Sequence, residues 1–253
     1  MQAHPTFEPP HAASGRMASV ARRRVTDAPT RMFHWLFALS FLGAYLTAEG
    51  ERWRMLHVTL GYTMAGLLVF RLLYGLFGPR QSGLGLLWRK LAGAPAWLSS
   101  VKGARALTGI NWRQGQNLLM ALAVIALMAM VVPLTLSGYA TFNDWGDFLG
   151  GDWLGEVHEF FGEAMLVVVL AHVGLIAGLS LLRRKNQALP MLTGRVPGNG
   201  PDLVKKNRVW LAALLLIAVL AYGAWEWQQS PSGLIPTGAF SGASRDHHDH
   251  DDD

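Results

Sequence analysis

Hydrophobic residues in this chain gather in long blocks rather than in the stripes of amphipathic soluble helices. Five blocks stand out, at residues 32–47, 55–77, 118–139, 157–182 and 209–225. A bilayer core about 30 Å thick needs roughly 20 mostly apolar helical residues, and each block meets or approaches that length. The first is the shortest, and Arg31 or the segment after Thr47 extends it by a turn. The pattern predicts an all-α integral membrane protein, a four-helix transmembrane bundle followed by a fifth, C-terminal transmembrane helix. Between the second and third blocks, Leu84, Leu86, Leu87, Trp88 and Leu91 beside Arg89 and Lys90 suit a short interfacial helix as well as they suit a loop.

Polar punctuation gives the orientation. Lys and Arg number five up to Arg31, six in residues 78–117 and seven in residues 183–208. On the alternate side they number two in residues 48–54, none in 140–156 and one, Arg245, in the C-terminal tail. This asymmetry predicts a bacterial inner-membrane protein with a cytoplasmic N-terminus and a periplasmic C-terminus. The periplasmic side is also acidic, with Asp144, Asp147, Asp152 and Glu156 in one loop. Trp53, Trp145, Trp153, Trp210, Trp225 and Trp227 fall near span ends, as an interfacial belt requires.

Only 15% of the 253 residues are charged, against about 25% in soluble domains, which argues against an ordinary soluble enzyme. The net charge of +5 is explained by the one-sided loops, so no nucleic-acid partner is expected. Absence of Cys excludes disulfides, thiolate-held metal clusters and covalent c-type haem attachment. The first thirty residues lack the apolar segment of a signal peptide and read as a disordered cytoplasmic tail, with His4 and His11 given no role.

Outside the tails four histidines remain, His34, His57, His158 and His172, all within or at the edges of spans. A strongly polar side chain at membrane depth usually faces the bundle interior with a partner. Any single one suits a hydrogen-bonded packing role, but the four share a geometry. His158 and His172 are fourteen residues apart, roughly 21 Å of helix rise and within about 40° of one face. From the orientation, His57 lies at the outer level with His158, and His34 at the inner level with His172. Two stacked His–His pairs are what two haem b groups require, each iron taking two axial imidazoles from facing helices. Gly61, Gly162 and Ala38 each follow a histidine by four and leave room for a macrocycle.

Arg31 and Arg54 each precede a histidine by three residues, and Arg71 lies inside the second block at the inner level. Haem propionates are anions that arginine suits. Interfacial anchoring competes for the first two and snorkelling for Arg71. Glu159 and Glu163, near the outer histidines, are candidate proton carriers or simple interfacial residues.

The stretches Asp27-Ala-Pro-Thr-Arg-Met-Phe-His34-Trp and His57-Val-Thr-Leu-Gly-Tyr62 resemble the prokaryotic cytochrome b561 family, which includes cytochrome b subunits of nickel–iron hydrogenases. Phe70-Arg-Leu-Leu-Tyr-Gly-Leu-Phe-Gly-Pro-Arg80, Glu156-Val-His158, Ala171-His172-Val-Gly and Met191-Leu-Thr-Gly-Arg195 share the likeness. The resemblance implies a four-helix core binding two b haems through the four histidines and exchanging electrons with membrane quinone or quinol. It divides the chain into the tail (1–30), the dihaem core (31–196), a linker with the fifth helix (197–227) and an acidic, His-containing periplasmic tail (228–253).

Bis-imidazole ligation leaves no open coordination position, which favours electron transfer over oxygen chemistry. The expected activity is electron transfer between the quinone pool and a periplasmic redox partner such as a c-type cytochrome. The alternatives are a superoxide:quinone oxidoreductase, the anchor subunit of a hydrogenase-like complex, and a haem-free metal path through the histidines. A homodimer is compatible with all of them. The terminal Asp246-His-His-Asp-His-Asp-Asp-Asp253 suits weak metal binding, steering of a basic carrier, or neither.

Overall fold

The computed structural model describes residues 21–80, 82–103, 111–149, 151 and 153–230. The tail histidines His4 and His11, Asp152, Arg245 and the terminal acidic run lie outside the described residues. The expected helical blocks appear as α1 (Ala28–Leu46), α2 (Arg54–Phe77), α5 (Trp112–Phe142), α7 (Trp153–Arg183) and α9 (Val209–Gln229). Shorter helices α3 (Leu84–Ala92), α4 (Ala94–Gly103), α6 (Trp145–Leu149) and α8 (Leu189–Thr193) join them. The ambiguous Leu-rich stretch is therefore the helix α3, with Trp88 left 72% exposed.

Four segments, Glu51–Phe77, Trp112–Phe142, Trp153–Arg183 and Val209–Gln229, are long and apolar enough to cross a membrane. Their outward side chains agree, since Phe77, Leu136, Leu170, Leu181 and Leu220 are exposed. α1 differs from the expected count of five spans. It has 19 residues, but Pro29, Thr30, Arg31 and His34 in its first half dilute its apolar character.

α1 begins earlier than the apolar block does because Asp27 caps it. Its Oδ1 accepts the Thr30 N–H at 3.2 Å, and Pro29 takes a position where a missing N–H costs nothing. Helix α1 packs on α2 and α9, α2 on α5, and α5 on α7. The backbone of α7 leans on α5 far more than on α1 or α2, which leaves a cleft facing those two helices.

A dry cluster fills the middle of that cleft. Phe41, Met64, Leu68, Val131, Leu134 and Met165 are buried together, with Met165 and Val131 fully inaccessible. Phe41, Met64 and Met165 each follow a histidine by seven residues, about 10 Å of rise. The cluster therefore separates an outer from an inner histidine level.

At the end of the bundle where α1 begins, Arg22–Arg24, which the sequence places in a free tail, forms strand β1 and pairs antiparallel with β2 (Arg195–Pro197). Val25 N–H and Thr26 N–H both reach Gly194 O, and Arg24 N–H reaches Asp202 Oδ1. Gly194 takes φ +75° to end α8, and a Cβ there would sit 2.8 Å from Thr26 O. Trp35 Nε1 donates to Met191 O at 3.1 Å and Arg31 Nη1 to Leu192 O at 3.2 Å. This strap ties α1 to the segment that follows α7, although the two helix bodies stand apart.

Met165→Ala should lower unfolding stability by about 2–5 kcal/mol through the cavity it leaves. Leu181→Ala, at an 80% exposed position, should be near neutral. Thermal denaturation of the two variants in one detergent makes the comparison.

Candidate functional site

His57 opens α2 and His158 opens α7, and the structure brings them face to face. Their ring centroids are 5.8 Å apart and their planes 81° to one another. Each ring is held by a backbone carbonyl of a neighbouring helix. His57 Nδ1 lies 2.8 Å from Ala44 O, in the last turn of α1, where carbonyls lack helical partners. His158 Nδ1 lies 2.9 Å from Leu134 O on α5. A carbonyl can only accept, so in both rings Nδ1 carries the proton and donates it. Nε2 is then left with a free lone pair, the state in which imidazole binds a metal.

The ring of His158 fits because α5 has no side chain opposite it. A Cβ on Gly138 would lie 2.7 Å from His158 Cε1 and 2.9 Å from Nδ1. Pro133, inside α5, sits one residue before the accepting carbonyl, and Ser137 Oγ bonds back to Pro133 O at 2.7 Å.

Around these two rings is a cavity of about 660 Å³, within the roughly 300–1,000 Å³ of typical ligand sites. Gly61 and Gly162 line it, and no atom stands within 4 Å of the place a Gly61 Cβ would occupy. The cavity thus has bare backbone where the four-residue spacing predicted it. Tyr62 and Tyr139 form part of its wall with rings 6.1 Å apart, and Tyr139 meets Trp145 edge-on at 5.5 Å. Charged lining comes from Arg54, Glu49, Glu159 and Glu163.

At the inner level, His34 on α1 and His172 on α7 lie within electrostatic reach of each other. Both rings are half-buried, and the Nδ1 atoms of both are buried without a hydrogen-bond partner. In this the pair differs from His57 and His158, whose Nδ1 atoms are each bonded to a carbonyl.

The three arginines separate. Arg54 lines the outer cavity, 3.6 Å from Glu51 and with its guanidinium 5.4 Å from the Phe142 ring centre. Arg31 turns to the end of α8, as described above. Arg71 is buried and donates to Ser82 O at 2.9 Å. Sequence reasoning also passed over Asp27, Gly138 and the carbonyls of Ala44 and Leu134. Asp27 left a usable trace, since Asp two residues before Pro at the head of an apolar block is a helix-start signal. The carbonyls leave none, because every residue has one.

The donor set fits haem better than a bare cation. Among the described residues no group of three or more His, Cys, Asp or Glu side chains is placed to hold a metal ion. Two facing imidazoles would hold a haem from the helices on either side, and the group itself would supply its remaining ligands.

Comparison with known proteins identifies the family. The profile of the prokaryotic cytochrome b561 family matches residues 25–194, and the chain belongs to that family. No curated protein and no solved structure matches it. The protein is a membrane b-type cytochrome of electron transfer.

Gly138→Ala should push the His158 ring off Leu134 O and sharply reduce haem retention. Gly66→Ala, at an exposed position with open space and outside the cavity lining, should retain more. Haem content per chain after purification distinguishes them.

Proposed function

We propose that this member of the prokaryotic cytochrome b561 family is a dihaem cytochrome of the bacterial inner membrane. It exchanges electrons between the quinone pool and a periplasmic redox protein such as a c-type cytochrome. The observation that carries the reading is the matched setting of His57 and His158, each with Nδ1–H donated to a carbonyl and the two rings 5.8 Å apart.

In this reading α1 completes a five-span bundle, with the strapped, Arg-rich end in the cytoplasm. His57 and His158 hold the outer haem, and His34 and His172 the inner one. Bound there, the haems supply reversible one-electron iron chemistry. The chain's own contribution is positional and electrostatic. Carbonyl bonds to Nδ1 fix the ring planes of His57 and His158 and strengthen them as donors. The Met64–Val131–Met165 cluster keeps water out of the space between the two levels. Arg54, at the mouth of the outer cavity, is placed to meet a propionate.

The same cavity bears on the partner. Glu49, Glu159 and Glu163 outnumber Arg54 in its lining. Such a wall repels an anion such as superoxide and attracts a basic carrier protein, which favours the periplasmic redox partner over a superoxide-oxidising site.

Haem quantification with a dithionite-reduced spectrum tests the assignment. Two b haems per chain are expected. His34→Ala and His172→Ala should each remove the same haem, and His57→Ala and His158→Ala the other. A colourless protein, or one porphyrin per chain, would refute the reading.

A further inference from the structure

Beyond the end of α5 the chain forms a small exposed platform. α5 has 31 residues, about 46 Å of rise, so it outreaches a hydrocarbon layer of about 30 Å. Its apolar block stops at Tyr139, and α6 follows at the end of the bundle that holds His57 and His158. Asp144 takes φ 55° to turn the chain into α6, and Asp147 N–H returns to Asp144 O at 3.2 Å. Gly151 N–H donates to Gly146 O at 3.0 Å, and a Cβ on Gly146 would stand 2.9 Å from Gly151 O. The platform is thus fixed before anything binds to it, which lowers the ordering cost of a contact.

Its surface is apolar at the centre. Phe148 is 90% exposed and Trp145 49%, with Leu149 exposed beside them. Around this centre the charge has one sign. Asp144, Asp147 and Glu156 are exposed, and residues 140–156 contain no Lys or Arg. Arg52 and Arg54 belong to the connection between α1 and α2, where Arg54 is already engaged with Glu51 and the Phe142 ring. An apolar centre inside a charged rim is the anatomy of a protein–protein interface, with exposed aromatic rings as anchors. Phospholipid headgroups suit the platform less, because carboxylates stand where lipid phosphates would lie.

The platform also reaches the outer cavity. The Trp145 ring meets Tyr139 edge-on at 5.5 Å, and Tyr139 shares the cavity wall with His57, His158 and Tyr62. A protein seated on Phe148 and Trp145 therefore stands one side chain, that of Tyr139, from the cavity.

We propose that α6 and its acidic flanks are the docking surface for a basic one-electron redox protein. The inference rests on the periplasmic partner proposed above and gives that partner a place to bind. Attraction between the acidic rim and the partner's lysines steers the encounter, and Phe148 set against an apolar spot on the partner holds it. Each encounter moves one electron. The metal of one protein is oxidised by one unit, that of the other is reduced by one, and no proton or covalent bond is exchanged.

The test uses the full-length, haem-loaded protein in nanodiscs of neutral lipid, reduced with dithionite and freed of the excess. It is mixed with ferric cytochrome c, either in its basic native form or succinylated to an acidic one. The native form should be reduced at a second-order rate that falls roughly tenfold as added salt screens the rim, and the succinylated form should react slowly. Phe148→Ala, and separately Asp144→Asn with Asp147→Asn, should each lower the native rate roughly fivefold, with haem content and reduced spectrum unchanged. Ferricyanide, a small anion, reports on the haem without docking. Phe148→Ala should leave its rate unchanged, and the two Asp→Asn changes should raise it. Carbodiimide, which joins touching carboxylates and lysines, should link native cytochrome c to residues 144–156 on peptide mapping. Links confined to residues 49–51, or variants that react at the wild-type rate, overturn the docking surface and leave the partner reading intact. A photo-crosslinking side chain at position 148 that labels lipid and not cytochrome c makes α6 a membrane anchor and also overturns the proposal. Wild-type protein that reduces ferricyanide but neither form of cytochrome c overturns the partner reading itself.

Discussion

An imidazole within a membrane bundle has two ring nitrogens and no water to satisfy them, and much of this molecule follows from that constraint. At the outer level the protein satisfies one nitrogen of each ring and leaves the other. The acceptors are well chosen physically. Ala44 O belongs to the unpaired end of α1, and Leu134 O sits beside a proline and opposite a glycine. At the inner level the Nδ1 atoms of His34 and His172 have no such partner. The two levels therefore differ in the one feature by which a protein most directly tunes an imidazole donor, the hydrogen bond on its far nitrogen.

Packing turns the two levels into separate sites. Small residues lie next to the outer histidines, at Gly61, Gly138 and Gly162. Large ones fill the space a heptad away, at Phe41, Met64 and Met165. Alternation between bare backbone and a dense plug creates a cavity and closes it again along the same helices. Close packing tolerates few voids, so an opening of this size, with glycine walls and paired imidazoles, indicates a bound group rather than loose folding.

The bodies of α1 and α7 make little contact. They are tied at one end by the strand pair β1–β2 and by the bonds from Arg31 and Trp35 to the carbonyls of Leu192 and Met191. Those two residues flank His34. The buried Asp27 joins the same end of α1 to α2 and to Ser82. Substitutions there act on the inner histidine level through the placement of α1, without touching either ring.

What the amino-acid order determined alone is whatever repeats along one helix. The apolar blocks, the fourteen-residue spacing of His158 and His172, and the glycines four residues past His57 and His158 are properties of a regular 3.6-residue period. Charge asymmetry is the same kind of local count, and the orientation in the membrane is an expectation drawn from it. Tertiary structure alone decided which polar groups meet. Arg31, Arg54 and Arg71 are all propionate candidates by position, and only the packed helices bring Arg31 to the Leu192 carbonyl and Arg71 to that of Ser82. Nothing in the order of residues distinguished Ala44 O or Leu134 O from any other carbonyl, or Gly138 from the many glycines of membrane helices. Their roles depend on contacts across thirteen to twenty-four residues, and such contacts exist only once the helices are packed.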